Sequence, residues 1–252
     1  MSVSKHSPAK PSGQIPLFEP DPKPNFVNKA FQLSPANEEI VDTVHAWLDS
    51  TEAFLVICGA PGSGKSHLGS LLVERSGVER QACFYGMAGV QSINKTLLSM
   101  KDSAEDCAPD GLNLVVVDPI TVPENDEAAQ ALMDMIETCR EMDIRLVLIG
   151  RGIPQSWAGD LKDLHTRLEA MVRIEMPEPD EALMRLVIGY HLTDRQLALT
   201  EEDILTLSEF AAIHLPRTFA AAQGFAKALD VMALSEKKKP SKSMAKLVIE
   251  QM

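Results

Sequence analysis

One segment of the chain has the residue types and the spacing of a phosphate-binding loop. The pattern G-x-x-x-x-G-K-[ST] is matched at every fixed position by Gly59, Ala60, Pro61, Gly62, Ser63, Gly64, Lys65 and Ser66. Glycines let such a loop turn its backbone N–H groups towards an anion, and the N-terminus of the following helix adds its dipole. We expect Lys65 to reach the β- and γ-phosphates of a nucleotide and the Ser66 hydroxyl to bind Mg²⁺. The sequence therefore predicts a site for ADP or ATP with Mg²⁺, in a stretch that extends to His67.

The second protein ligand for Mg²⁺ should be an aspartate at the end of a later apolar strand. Asp118 fits, because it follows the apolar run 114–117. ATPases with this loop usually place a second acid next, to orient the attacking water, and here that position is Pro119. Because proline cannot act as a base, we expect weak hydrolysis by this chain alone unless Glu124 or Asp126 replaces the missing acid.

Short apolar runs alternate with helical patterns along the middle of the chain. The runs that we interpret as strands are 54–58, 82–85, 114–117, 146–149 and 171–174. Strands that alternate with helices, such as the pattern over 127–141, indicate a parallel sheet with helices on both faces. After Pro177 only helices are predicted, over 181–191, from the N-cap Thr200 to 210, over 217–232 and over 243–250. We thus expect an α/β domain over 31–177 and a small all-helical domain over 178–252.

Composition excludes several classes of protein. Of the 252 residues 45% are apolar and 24% are charged, so the chain can bury a core and is not disordered overall. The net charge of −12 argues against a free-standing nucleic-acid binder, and no direct sequence-specific DNA binding is expected, although a local basic patch stays open. No apolar run reaches the roughly 18 residues of a membrane span, so a membrane protein is not expected. The 4 cysteines form no C-x-x-C pair, which fits a reducing cytoplasm.

Residues 1–30 have the composition of a flexible tail. Prolines throughout this stretch preclude a regular helix. One apolar island interrupts it, with the residues Gln14, Ile15, Pro16, Leu17 and Phe18. A Leu-Phe pair is unusual in such a tail because nothing local can bury it, and one interpretation is that it packs back on the folded core.

Several segments resemble DnaA, the bacterial replication initiator, and its relatives. The phosphate loop, the alternating strands and helices and the helical end follow the plan of AAA+ proteins. Segment 164–168 (L-H-T-R-L), followed by 174–177, resembles the DnaA box that carries the arginine finger, and 215–219 (L-P-R-T-F) resembles its sensor II stretch. Segment 31–37 resembles the part that covers the adenine, and 149–154 lies where sensor I lies. The island Q-x-x-L-F at 14–18 is similar to the motif that docks on the replicative sliding clamp.

With this clamp motif in front and no helix-turn-helix domain behind, the chain resembles the Hda-type, DnaA-related AAA+ regulators of replication initiation. The resemblance implies an AAA+ P-loop NTPase fold with a helical lid. It implies that Arg167 acts in trans as an arginine finger on ATP bound by DnaA, while Arg217 contacts the phosphates of this chain's own nucleotide. The implied role is a negative regulator of DNA replication that binds the sliding clamp (the β subunit of the polymerase) and promotes hydrolysis of DnaA-bound ATP. Association of several copies of the chain is a further possibility.

Two positions depart from the pattern of this family, and other interpretations stay open. Pro119 replaces the second acid, and the run 150–152 (G-R-G) lacks the Asn, Thr or Asp usual at sensor I. Arg167 could instead form a surface ion pair with Asp163 or Glu169, and Arg217 could cap a loop or face solvent. Among functions, the alternatives are an AAA+ remodeller or loader at the origin with its own ATPase activity, and a non-catalytic adaptor.

Overall fold

A computed structural model of the protein describes residues 37–75, 81–85, 90–103, 112–123 and 125–252. Its strands are β1 (Phe54–Gly59), β2 (Gln81–Tyr85), β3 (Leu112–Ile120), β4 (Arg145–Gly150) and β5 (Val172–Met176). Its helices are α1 (Glu38–Asp49), α2 (Lys65–Arg75), α3 (Val90–Ser103), α4 (Asp126–Glu141), α5 (Lys162–Glu169), α6 (Glu181–Asp194), α7 (Glu201–His214), α8 (Phe219–Glu236) and α9 (Lys242–Gln251). All the predicted strands are present, and each extends beyond its predicted run at one end or both, although β5 begins one residue later than predicted.

The five strands form one sheet in the order β2-β3-β4-β1-β5, and every pairing between neighbours is parallel. Parallel strands need crossover connections, and helices α2, α3, α4 and α5 lie on those connections. The carboxyl ends of all five strands meet at one edge of the sheet. In open α/β sheets ligands bind outside this edge, and both the phosphate loop after β1 and Asp118 near the end of β3 lie there.

Both faces of the sheet are covered. Along β1, Leu55 and Ile57 belong to one apolar core with residues of α1 and α2, while Val56 and Cys58 belong to another with residues of α3, α4 and α5. All four side chains are at most 1% exposed, which is why β1 is a continuous apolar run without alternation. This central strand gives the phosphate loop a rigid base.

Arg145, the first residue of β4, fixes helix α1 to the sheet. Its guanidinium donates hydrogen bonds to the carbonyls of Trp47 and Leu48 in the last turn of α1 and to those of Ser50 and Glu52 just after it. It also stacks on the Trp47 ring, 4.0 Å from the centroid. The last carbonyls of a helix have no partner within the helix, so a cation is favourable there.

The four helices after β5, α6 to α9, pack around an apolar core of their own, and we call them the lid. Met184, Ile188 and Phe225 lie in that core and are fully buried. Each lid helix begins at an N-cap whose side chain accepts a hydrogen bond from a backbone N–H three residues on, namely Asp180, Thr200, Thr218 and Ser241. Thr200, the N-cap predicted from the sequence, forms a full capping box with Asp203. Within the described residues no helix is long and apolar enough to cross a bilayer.

Candidate nucleotide site

The lid lies directly on the phosphate loop. Gly62 and Gly64 have φ values of 73° and 91°, in the region that glycine alone adopts easily. A Cβ on Gly62 would stand 2.7 Å from the Cβ of Thr218, and one on Gly64 would stand 2.6 Å from the ring of Phe219. These glycines are therefore needed both for the loop conformation and for the close approach of α8.

A backbone hydrogen bond joins the two parts. The N–H of Phe219, the first residue of α8, donates to the carbonyl of Gly62 at 3.1 Å. The first N–H groups of a helix have no acceptor within it, so the loop supplies one. Arg217 lies two residues before Phe219, its side chain is exposed, and among the described residues no partner pairs with its guanidinium. The structure thus brings Arg217 to the turn that touches the loop.

Lys65 lies inside the loop. Its ammonium donates to the carbonyls of Gly59 (3.1 Å) and Ala60 (2.5 Å) and to the hydroxyl of Ser63 (3.2 Å). The residue is only 8% exposed, and burial lowers the pKa of its ammonium. The nearby charge of Arg151 lowers that pKa further, while the carboxylate of Asp118 and the thiol of Cys58 act in the opposite direction. An ammonium has three donors, and all three are used by the loop itself.

Ser66 and Asp118, the two predicted magnesium ligands, lie together. The Ser66 hydroxyl lies close enough to the Asp118 carboxyl to influence its pKa. Burial raises the pKa of Asp118, and the neighbouring Ser66 hydroxyl and the charge of Lys65 partly oppose this rise. A hydroxyl and a carboxylate are hard oxygen ligands, which Mg²⁺ prefers, and Mg²⁺ usually takes its other ligands from phosphates and water. In the described part of the chain, no group of three or more His, Cys, Asp or Glu side chains is placed to hold a metal ion.

The other predicted residues near this edge lie as follows. Pro119 is exposed and follows Asp118 directly. Asp126 lies in the exposed first turn of α4, and Glu124 lies outside the described residues. His67 is half-buried in the first turn of α2. None of these gives the site a described acid beside Asp118.

A small, mainly apolar pocket adjoins the loop. Its walls comprise Asn37, Ser63, Met176, Pro177, Glu178, Pro179, Leu183 and Phe219. Its apolar walls are of the kind that contact a nucleobase, but the space between them holds no more than about one water molecule, so the walls would have to separate to admit a base. Of the segment predicted to cover the adenine only Asn37 is described, and it is 3% exposed and lines this pocket. Met176 and Phe219 lie in segments that the sequence singled out for other reasons, so their place in this pocket was missed.

Arg167 lies on α5 and forms an ion pair with Glu137 of α4, at 2.5 Å. Its side chain is 26% exposed, so the guanidinium is accessible from solvent. The surface ion pair that the sequence offered as the alternative is present, but the prediction of Asp163 or Glu169 as its partner was wrong. Those acids are on the same helix as Arg167, whereas Glu137 comes from the neighbouring one.

The predicted clamp-binding residues Gln14, Ile15, Pro16, Leu17 and Phe18 lie outside the described residues. Segment 31–36 lies outside them too. The structure therefore leaves both predictions as they were.

Comparison with known proteins places the fold. No protein-family model and no curated protein sequence matches the chain. Among solved structures it is similar to domain III of the replication initiation protein DnaA from Thermotoga maritima, with 18% identity, a TM-score of 0.65, and 93% of this chain and 98% of that one covered. It is also similar to AMPPCP-bound DnaA from Aquifex aeolicus, with 17% identity, a TM-score of 0.62, and 85% and 67% of the two chains covered.

A third similar structure is a variant of RuvB from Thermotoga maritima, with 11% identity, a TM-score of 0.59, and 85% and 67% of the two chains covered. At these identities the likeness concerns the fold alone. The fold predicted from the sequence, a parallel sheet flanked by helices and followed by a helical lid, is confirmed. The chain therefore has a fold similar to that of DnaA domain III.

Proposed function

We propose that the chain binds ADP or ATP with Mg²⁺ at the edge of the sheet and under the lid. The observation that carries this proposal is the loop itself, in which the buried Lys65 and the Ser66 hydroxyl both lie close enough to Asp118 to lower its pKa. DnaA of the same fold has been solved with AMPPCP bound, which supports a nucleotide as the ligand.

In this proposal each part of the nucleotide has a place. The phosphates lie against the loop and take over donors of Lys65 that now bond the loop carbonyls. Ser66 and Asp118 hold Mg²⁺, which when bound neutralises charge on the phosphate oxygens. The base lies against Met176, Leu183 and Phe219, which separate to admit it.

Nucleotide titration tests this first step. We expect calorimetry to give a micromolar or tighter Kd for ADP with the wild-type chain, and a loss of at least tenfold for Lys65→Ala, because a charge-assisted bond to phosphate disappears. Lys227→Ala, which removes an exposed lysine of the lid, is the matched control and should leave the Kd unchanged. Equal affinity in wild type and Lys65→Ala would refute the site.

For turnover, we propose that the chain is at most a weak ATPase. Pro119 carries no ionisable group, and in this proposal Asp118 is used to hold Mg²⁺. A site of this kind keeps its nucleotide and uses it to set the position of the lid. The appropriate measurement is phosphate release by the chain alone, and a rate typical of a working ATPase (about 1 s⁻¹ or more) would contradict this step.

We further propose a role in replication, as a cytoplasmic negative regulator that promotes hydrolysis of ATP bound by DnaA. Arg167 supports it, because its guanidinium is accessible on the surface of an AAA+ domain and can reach a neighbour's phosphates once Glu137 releases it. An arginine supplied in trans can accelerate phosphoryl transfer by about 10³–10⁵. The segment 14–18 would tether the chain to the sliding clamp, which raises the local concentration and lets a weak contact with DnaA suffice.

The decisive assay measures ATP hydrolysis by DnaA with clamp-loaded DNA and this chain. We expect Arg167→Ala to abolish the stimulation, while Arg185→Ala, which removes another arginine from an exposed ion pair, should leave it intact. Replacing Leu17 and Phe18 with alanine should abolish clamp retention without changing nucleotide affinity. Clamp binding that survives this double substitution would refute the tether.

One observation favours a second candidate, a non-catalytic adaptor. Arg167 is already paired with Glu137, as a structural surface arginine would be. An adaptor requires that Arg167→Ala still supports full stimulation, so the same assay separates the two functions.

A further inference from the structure

The outer face of helix α8 carries large apolar residues, which is unusual for a helix at the surface of a domain. Its inner face is buried in the lid core through Ala222, Phe225, Ala226, Leu229 and Ala233. On the outer face, Val231 and Leu234 are 59% and 71% exposed. A surface helix normally has polar side chains opposite its buried stripe. Packing within the described lid therefore does not account for Val231 and Leu234.

Helix α9 adds two more exposed apolar residues beside α8. Residues 237–241 join the two helices into a hairpin, and a Cβ on Gly224, near the start of α8, would stand 3.5 Å from the side chain of Met252, just after α9. The two helices are therefore antiparallel. Val231 lies five residues before the end of α8 and Leu247 lies five residues after the start of α9, so they stand at the same level of the hairpin. Leu247 is 47% exposed and Met252 is 58% exposed.

Val231 and Leu247 also lie on the sides of their helices that face each other. Val231 is two turns after Gly224, the residue that the end of α9 approaches. Lys242 of α9 lies over the ring of Phe210 in α7, 5.0 Å from its centroid, which marks the side of α9 towards α7. Leu247 is rotated by about 140° from Lys242 and lies on the other side of the buried residues of α9, towards α8. We call the four exposed residues of the hairpin the apolar stripe, namely Val231, Leu234, Leu247 and Met252.

The charge of this hairpin is opposite to that of the rest of the chain. Residues 219–252 contain six lysines and three acidic residues, a net charge of +3, whereas the whole chain has a net charge of −12. All three acidic residues are already in ion pairs, namely Asp230 with Arg195, Glu236 with Lys238 and Glu250 with Lys246. Lys227, one turn before Val231, and Lys237, at the end of α8, are exposed and form no ion pair with a described carboxylate. Uncompensated positive charge therefore borders the apolar stripe.

We propose that the apolar stripe binds an acidic amphipathic segment of a partner protein. Apolar side chains of that segment cover Val231, Leu234 and Leu247, and carboxylates at its edges pair with Lys227 and Lys237. A helix whose apolar residues recur at i, i+3, i+4 and i+7 has this arrangement and binds in apolar grooves. The inference goes beyond the proposed function, because the apolar stripe includes no residue of the nucleotide site and does not involve the arginine on α5.

Charge and chemistry favour a protein segment over other occupants. Surfaces that bind nucleic acids combine basic residues with arginine or aromatic side chains, whereas the centre of this surface is aliphatic. An anionic bilayer would attract the lysines but repel the rest of the chain, whose net charge is −15. Residues 1–36 carry four lysines and two acidic residues, so the tail has the same sign of charge as the hairpin. A second copy of the chain placed face to face would bring lysines against lysines.

Fluorescence anisotropy with a synthetic peptide tests this inference. The probe is a labelled peptide with leucine at i, i+3, i+4 and i+7 and glutamate or alanine elsewhere, and it is titrated with the full chain at low salt. A peptide of the same composition in scrambled order, which has no apolar face, is the control probe. We expect saturable binding of the first peptide and binding of the scrambled peptide that is weaker by about tenfold or more.

Substitutions in the chain identify the surface. Leu234→Ser should weaken binding of the first peptide by about tenfold or more, because the leucine side chain that becomes buried on binding is removed. Lys227→Glu should weaken it by about threefold or more at low salt and by less at high salt, because the contribution of Lys227 is electrostatic. The matched control is Leu205→Ser, which removes a leucine that is 52% exposed on α7, outside the apolar stripe, and this variant should bind the peptide as wild type does.

The possible outcomes decide both the surface and its occupant. No binding of the first peptide, equal binding of the two peptides, or full binding by Leu234→Ser would overturn the inference. It would also be overturned if Leu234→Ser abolished self-association of the chain, or binding to phosphatidylglycerol vesicles or to single-stranded DNA, instead of peptide binding. Because the substituted side chains are exposed, each variant should melt within about 2 °C of wild type, and that measurement shows that a lost affinity is not a lost fold.

Discussion

The contact between the lid and the phosphate loop can be tested by adding one methyl group at Gly62. In Gly62→Ala, the φ of 73° places an L-residue in the left-handed region, at a cost of about 1–2 kcal/mol. The new Cβ would stand 2.7 Å from the Cβ of Thr218, so the backbone of one partner must move. That movement strains or breaks the 3.1 Å hydrogen bond from Phe219 to the Gly62 carbonyl, for about 1 kcal/mol more. Backbone strain, the steric clash and the weakened hydrogen bond together should lower the free energy of unfolding by about 2–4 kcal/mol. The loss would be smaller if the lid separates from the loop, because the clash is then relieved.

The assay is thermal or denaturant unfolding together with amide exchange at Phe219. We expect Gly62→Ala to lower the free energy of unfolding by about 2–4 kcal/mol, or to expose the Phe219 amide if the lid separates instead. The matched control is Gly224→Ala within α8, where a Cβ meets nothing closer than 3.5 Å and helix propensity favours alanine by about 1 kcal/mol. The two substitutions should therefore have opposite effects on stability.

A second substitution separates the steric clash from the backbone strain. Thr218→Gly removes the Cβ that Gly62→Ala would meet and leaves a tolerated N-cap. The double variant should recover about 1–2 kcal/mol relative to the sum of the single changes. Additive effects, or an unchanged Phe219 amide and unchanged stability in Gly62→Ala, would refute the view that the lid is docked on this loop.

Further predictions concern the finger, the magnesium site and the sheet. Glu137→Ala should lower the free energy of unfolding by no more than about 1 kcal/mol, since its ion pair with Arg167 is partly exposed. Because the substitution releases Arg167, it should also increase the stimulation of ATP hydrolysis by DnaA at low concentrations of this chain. A loss of stimulation like that expected for Arg167→Ala would contradict this prediction. Asp118→Asn should raise the Tm of the nucleotide-free protein at neutral pH and weaken Mg²⁺-dependent nucleotide binding at least tenfold. The sign follows from the raised pKa of Asp118, which means that this carboxyl ionises less readily in the folded chain than in the unfolded one. As the pH rises from the unfolded-state pKa to the folded-state pKa, the Asp118 carboxyl therefore lowers the free energy of unfolding. Asparagine does not ionise, so Asp118→Asn removes this loss of stability. A lower Tm in Asp118→Asn would contradict that sign. In a denaturant titration, Arg145→Ala should lower the free energy of unfolding by about 2–4 kcal/mol, because it removes several hydrogen bonds to the C-terminal end of α1 and the residues after it. The control Arg185→Ala should lower it by less than about 1 kcal/mol. Equal losses of stability in the two variants would contradict the proposed role of Arg145 in fixing α1 to the sheet.

The parts of the structure that depend on local sequence could be predicted. Apolar runs such as 146–149 mark buried parallel strands because both of their faces are covered, and the phosphate loop is defined by consecutive residues. Thr200 could be identified as an N-cap because its partner is only three residues away. In each case the residues that interact are close together in sequence, or the pattern reflects burial alone.

Contacts between distant elements could not be predicted in the same way. The partner of Arg167 lies 30 residues earlier, and nothing in the sequence around either residue indicates that α4 and α5 bring them together. The role of Phe219 depends on how α8 docks on the loop, and that docking follows from the packing of the whole lid. Arg151 was noted only as a departure from a pattern, since its place beside the loop depends on the strand order of the sheet.

The charges at the site connect nucleotide binding with the position of the lid. Lys65 and Arg151 interact as like charges, and Asp118 partly balances the charge of Lys65. Without a phosphate, Lys65 uses its donors on the carbonyls of the loop, the same loop that accepts the hydrogen bond from Phe219 through Gly62. A bound phosphate would compete for those donors and so act on the segment to which the lid is docked. Nucleotide occupancy should therefore change the stability of the lid contact, and it can do so without hydrolysis.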